Sequence, residues 1–121
     1  MVSEFDHCLW EVLLRRNTGD IDCDVCVVIS DQPELKHVAD TFQVPFEVYS
    51  STEMTKSEQE SAALHALKEE HDVDLVILAR YLHGVSDEFC NTFQNKVINI
   101  HHSFLPAFVG KCPVNSGANC I

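Results

Sequence analysis

The sequence predicts an α/β fold: a Rossmann-like parallel sheet with helices on both faces. Short β-branched apolar runs alternate along the chain with stretches whose apolar residues recur every three or four positions. That order, α-β-α-β-α-β-α-β, means parallel strands joined by crossover helices. The runs at residues 24–30, 74–78 and 97–100 are also apolar nearly throughout, as strands covered on both faces must be.

Residues 1–3 are too short to form a strand alone. Asp6 is placed to cap a helix over residues 7–16, where Leu9, Val12 and Leu13 share one face. Asn17-Thr18-Gly19-Asp20 stops it. The run 24–30 (DVCVVIS) is the next buried strand. Pro33 suits the first turn of a helix reaching Phe42. Residues 46–49 (FEVY) alternate like a short strand near a sheet edge. A helix is expected from Lys56 or Ser57 to His71, with Ala63, Leu64 and Leu67 inward and its Glu and Lys residues solvated. Residues 74–78 (DLVIL) form a strand, 87–93 a short helix and 97–100 the last strand. The tail after Gly110 has no strand or helix period. The domain is therefore assigned to residues 1–110, with an irregular segment at 111–121.

The 121 residues suffice for one modest domain, and 45% hydrophobic with 22% charged residues is a globular balance. A net charge of −11 argues against a nucleic-acid backbone or an anionic membrane as partner. Cys8 and Cys26 sit in helix and strand patterns, as buried thiols do. Cys23-Asp24-Val25-Cys26 has C-x-x-C spacing, but no second pair stands at a zinc-site distance, so neither a metal nor a redox role is expected. His37, His65 and His71 read as surface residues and Trp10 as core or core edge. With no signal peptide and no membrane-length apolar run, a cytoplasmic setting is expected.

Asn99 and His101 stand two apart at the carboxyl end of the last strand, on one face. Open α/β sheets keep their sites there. An amide donates to a developing oxyanion, and an imidazole exchanges protons near neutral pH. Either residue alone is better explained as a strand-end polar group satisfying nearby backbone; their placement together before a turn makes a site an equal reading. His102 lines the site or packs, and Ser103 and Pro106 turn the chain away. Tyr81, Leu82, His83, Gly84 and Val85 follow the 74–78 strand. Their loop suits a flat heteroaromatic ligand, or is an ordinary strand-to-helix connection. Residues 3–8 contain no glycine, which counts against a phosphate cradle there.

The chain resembles the catalytic domain of the formyltetrahydrofolate deformylases, relatives of the glycinamide ribonucleotide and methionyl-tRNA formyltransferases. Three segments carry the resemblance: Ser3-x-x-Asp6-His7-Cys8-Leu9, Leu78-Ala79-Arg80-Tyr81, and Asn99-Ile100-His101-His102-Ser103-Phe104-Leu105-Pro106. The wider superfamily shares the N-x-H and S-x-L-P elements. The His-His doublet, the D-H-C-L start and the A-R-Y loop resemble the deformylase branch. The resemblance implies a hydrolase of one-carbon and purine metabolism, converting 10-formyltetrahydrofolate and water to tetrahydrofolate and formate. Asn99 would stabilise the oxyanion and His101 would assist the tetrahedral intermediate. Residues 82–85 would hold the pterin, with Tyr81, His102 and Ser103 beside the substrate. No metal or redox cofactor is implied, and a homo-oligomer is left open.

Three departures accompany it. The family's catalytic Asp lies beyond the position of Ile121. The residues after Gly110 leave the family pattern. A regulatory ACT-type domain and most of the central first strand are missing. The implied domain is thus truncated at both ends, with weak or no activity of its own, and its sheet is expected to lack a central neighbour. A non-catalytic folate-binding or interaction remnant is the alternative reading. A formyltransferase with an amine acceptor is the other; the His-His doublet and glycine-free first loop speak against it.

Overall fold

A computed structural model of the chain describes residues 1–81 and 83–100. The elements are α1 (His7–Thr18), β1 (Val28–Ser30), α2 (Lys36–Thr41), β2 (Phe46–Val48), α3 (Lys56–His65) continued by a π-helical turn (Ala66–Glu70), β3 (Val76–Ala79), α4 (Asp87–Thr92) and β4 (Val97–Ile100). The expected alternation holds, with several boundaries moved. The 24–30 run pairs only at Val28–Ser30. A turn at Pro33 delays α2 to Lys36, with the Lys36 N–H donating to the Pro33 carbonyl at 3.0 Å.

α1 buries Leu9 and Leu13 one turn apart. It ends at Gly19, whose φ of 84° is the left-handed conformation a side chain resists. Asp6 occupies the N-cap position but makes no side-chain cap. Its Oδ2 instead accepts from the Trp10 indole N–H at 3.1 Å, which corrects the capping expectation. Trp10 also meets Phe42 edge-on, with ring centroids 5.6 Å apart. α3 opens with a reciprocal capping box between Thr55 and Glu58.

β1 pairs with β2 and β3 with β4, both in parallel. Val2 joins the two ladders, forming parallel bridges to both Ser30 and Ala79. The Val2 N–H donates to the Ile29 carbonyl at 2.8 Å, and the Met1 carbonyl accepts from Ala79 N–H at 2.9 Å. The spatial order is therefore β2-β1-Val2-β3-β4. This corrects the expectation of strands left without a neighbour. Residues 1–3 are too short to count as a strand, yet Val2, 1% exposed, fills the central position.

Two cores flank the sheet. Val2, Leu9, Leu13, Val28, Val38 and Ala79 gather under α1 and α2. Ile29, Ala63, Leu67, Leu78, Phe89 and Val97 gather under α3 and α4. Side chains along a strand alternate between faces, so β1, β3 and β4 each feed both cores. None of the helices among the described residues is long and apolar enough to cross a membrane.

Candidate functional site at the switch point of the sheet

The chain runs outward from Val2 through β1 to β2, then returns to the other side of Val2 for β3 and β4. Strand order thus reverses around Val2. In parallel α/β sheets the crevice outside the carboxyl ends at such a reversal is the usual ligand site. The residues leaving Val2, β1 and β3 at that end are Ser3, Asp31 and the loop 80–85.

Asp31 is the centre of this group. Its side chain is 4% exposed, and a buried carboxylate needs donors on its oxygens. Ser3 Oγ donates to Oδ1 at 2.7 Å. His83 Nε2 meets Oδ2 at 2.8 Å; since a carboxylate only accepts, the imidazole is the donor. The His83 ring stands edge-on to Tyr81, with centroids 5.4 Å apart. Burial pushes the Tyr81 hydroxyl up to about 12, and the charges of Asp31 and Glu60 add to the rise. Tyr81 therefore stays a protonated donor through the physiological range.

Arg80 begins the loop in a left-handed backbone conformation, φ 59°. Its guanidinium lies 4.6 Å above the centroid of the Phe5 ring. At the far end of the loop, Val85 is 5% exposed within the α3/α4 core, so its side chain anchors the loop rather than facing a ligand. Ser86 donates through its N–H and Oγ to the Glu60 carboxylate and caps α4 by accepting from the Phe89 N–H. Gly84 is half-buried between these anchors.

Asn99 is half-buried in β4, opposite Leu78 of β3 in the parallel register. It shares the α3/α4 face with Val97 and stands one residue from the carboxyl end of its strand. Tyr81, His83, Gly84, Val85 and Asn99 are thus all carried by β3, β4 or the connection between them. Leu82, His101, His102 and Ser103 lie outside the described residues. Asp31 and Ser3 were missed by sequence reasoning. The available signal was a carboxylate directly following a buried apolar run, at a strand's carboxyl end.

The expectation for His71 needs correction. His37 and His65 are exposed, but His71 is half-buried just before β3. Its Nε2 lies 3.6 Å from Glu47 Oε1, and donor atoms of Glu47, Glu70 and His71 lie within 4.8 Å of one another. Tyr49 holds Glu47 by a 3.0 Å hydrogen bond. This cluster offers metal-ligand atoms, but it sits by the entry to β3, away from the carboxyl-end crevice. Cys8, Cys23 and Cys26 are free thiols.

Comparison with known proteins fits this geometry. A family profile described as formyl transferase matches residues 1–118. The chain belongs to the formyl transferase family. It is 45% identical over 112 residues to the formyltetrahydrofolate deformylase of Synechocystis, covering 93% of this chain and 39% of that protein. It is 37% identical over 113 residues to the Escherichia coli deformylase, covering 93% and 40%. A crystal structure of the Burkholderia mallei deformylase superposes with a TM-score of 0.81 at 39% identity, over 93% of this chain and 40% of that one. The glycinamide ribonucleotide transformylase structure from Geobacillus kaustophilus gives 0.82 at 28% identity, over 93% and 61%. This formyl transferase chain thus spans about 40% of the length of the curated deformylases it matches.

Raising the pH tests the Tyr81 environment. A phenol whose folded value is raised stabilises the fold fully below its unfolded value near 10 and loses that contribution as pH rises through about 12. Denaturant midpoints are expected to fall across that window, and less steeply in Tyr81→Phe. Equal slopes in both proteins would contradict the assignment.

Proposed function

We propose that this chain carries the folate site of a formyltetrahydrofolate deformylase, which hydrolyses 10-formyltetrahydrofolate to tetrahydrofolate and formate. The observation that carries the reading is an amide, Asn99, near the carboxyl end of β4 and paired with β3, in a sequence 45% identical to a deformylase. Water attacks the formyl carbon. The Asn99 amide donates to the carbonyl oxygen as it gains charge, and His101 carries the proton between water and the departing nitrogen. The carbon–nitrogen bond then breaks, giving formate and tetrahydrofolate. The loop 81–85 holds the pterin, and His102 and Ser103 lie beside the substrate.

The chemistry requires no metal or redox cofactor, since the charge that develops is met by hydrogen-bond donors. A cytoplasmic setting fits a soluble folate substrate. Support for the hydrolytic over the transfer reading comes from the higher identity to deformylases than to the ribonucleotide transformylases.

Incubating the purified chain with 10-formyltetrahydrofolate tests the proposal, with product analysis and calorimetry in parallel. Formate, released more slowly than by a full-length deformylase, is the expected product. A formylated amine, when an amine acceptor is supplied, would assign transfer instead. Binding without turnover would favour a non-catalytic folate-binding role. Neither product nor binding would overturn the reading.

A further inference from the structure

We infer that Asp31 and His83 form a positioning clamp, braced by Ser3, that fixes the loop 80–85 against the sheet so that it presents a preformed surface to the folate. This rests on the folate reading above.

The clamp is, first, non-local. Asp31 leaves β1 and His83 lies in the loop after β3, 52 residues later, on opposite sides of Val2. The bond therefore spans the switch-point crevice and ties one wall to the other. Secondly, it is built rather than incidental. The Asp31 side chain is 4% exposed, and each of its oxygens receives a donor within 2.8 Å. Leaving such a carboxylate unpaired is costly, so His83 has one strongly favoured position. Thirdly, the bond stands between two core contacts of the loop, Tyr81 packed against the α3/α4 core and Val85 buried in it. Val85 anchors one end in the core, and Arg80 leaves the strand at the other. His83 is the restraint between them, and its ring also meets that of Tyr81 edge-on. A loop held in its binding shape loses less freedom when ligand arrives, which raises affinity without any new interaction.

Neither residue is placed against the reacting atoms. Their effect is on affinity, with the chemical step spared once substrate is seated.

The test uses the full chain and the variants His83→Ala, Asp31→Ala and their combination, with His83→Gln as the conservative replacement that keeps an N–H donor. Amide hydrogen exchange without ligand comes first. Faster exchange confined to residues 81–85 in each alanine variant, and restored protection in His83→Gln, is expected. Unchanged exchange there would overturn the clamp. Calorimetry with 5-formyltetrahydrofolate follows. About tenfold weaker binding is expected for each alanine variant and no further loss in the combination, because either substitution removes the same bond between Asp31 and His83. Additive losses would show that the residues act separately and would also overturn it. A lowered melting temperature with unaltered exchange and affinity would assign a structural role only, which overturns it as well. If the unaltered chain binds no folate, the folate reading fails, while the exchange result still decides the clamp.

Discussion

Asn99→Ala is expected to slow formate release from 10-formyltetrahydrofolate about 10²–10³-fold under single-turnover conditions, the loss typical of one oxyanion donor. The reason lies in where the charge appears. In the bound substrate the formyl oxygen is a neutral amide carbonyl, and a hydrogen bond to it in a wet crevice adds little. As water adds, the oxygen takes a full negative charge, and the same donor becomes worth far more. The loss should therefore fall on the rate constant, leaving affinity for the folate within a few-fold. β4 supplies the precision this needs. Asn99 is locked in a parallel register opposite Leu78, which is fully buried, so its backbone has little freedom. Asn99→Asp separates the effects further: it keeps the shape, places an anion where a donor is required, and should be at least as slow. An unchanged rate in Asn99→Ala would remove Asn99 from the chemistry, and a loss confined to affinity would make it a binding residue.

The parallel sheet was legible because its strands lie between two helix layers. A strand covered on both faces can hold few polar residues, so residues 76–79 and 97–100 stand out as apolar runs. Strand length was less legible. The run read as a strand starts at Asp24, yet the ladder with β2 begins only where the Val28 N–H reaches the Pro45 carbonyl at 2.9 Å. Pairing partners, which are remote in sequence, decide where a strand begins. The π turn at Ala66–Glu70 was hidden for a related reason. Its residues are good helix formers, and the wider turn appears only in how the backbone bonds, with the His71 N–H reaching Ala66. Val2 was the hardest. Three residues have no period, and its central place follows from β1 and β3 both needing an inner neighbour. Asp31 escaped because a carboxylate after a strand ordinarily reads as a solvated loop residue. Its burial depends on His83, which no local pattern connects to it.

Phe89→Ala is expected to cost about 3–5 kcal/mol of folding stability, the range for removing a fully buried phenylalanine. Phe89 is 0% exposed and packs in the α3/α4 core with Leu78 and Val97 of the sheet and Ala63 of α3. Its ring also packs on that of Phe93, 5.5 Å away between centroids, and truncation to alanine removes this aromatic pair. The small residues around it, Ala63 and Ala66, cannot reach in to fill the space, which places the cost towards the upper part of the range. Domains of this kind are typically stable by about 5–15 kcal/mol, so the variant should unfold at a much lower urea concentration with an unchanged slope. Phe5→Ala is the informative contrast: the same side chain at 42% exposure should cost much less. The effect on Phe89 should also reach the crevice. The Phe89 N–H is capped by Ser86, Ser86 is held by Glu60, and Val85 lies in the same core. Loosening α4 therefore frees the carboxyl-terminal anchor of the loop 80–85 while the Asp31–His83 bond remains. Hydrogen exchange in Phe89→Ala should accelerate at Val85 and Ser86 more than at His83, the residue held by Asp31. Equal acceleration along the whole loop would mean that the core, and not the bond across the switch point, sets the loop's position.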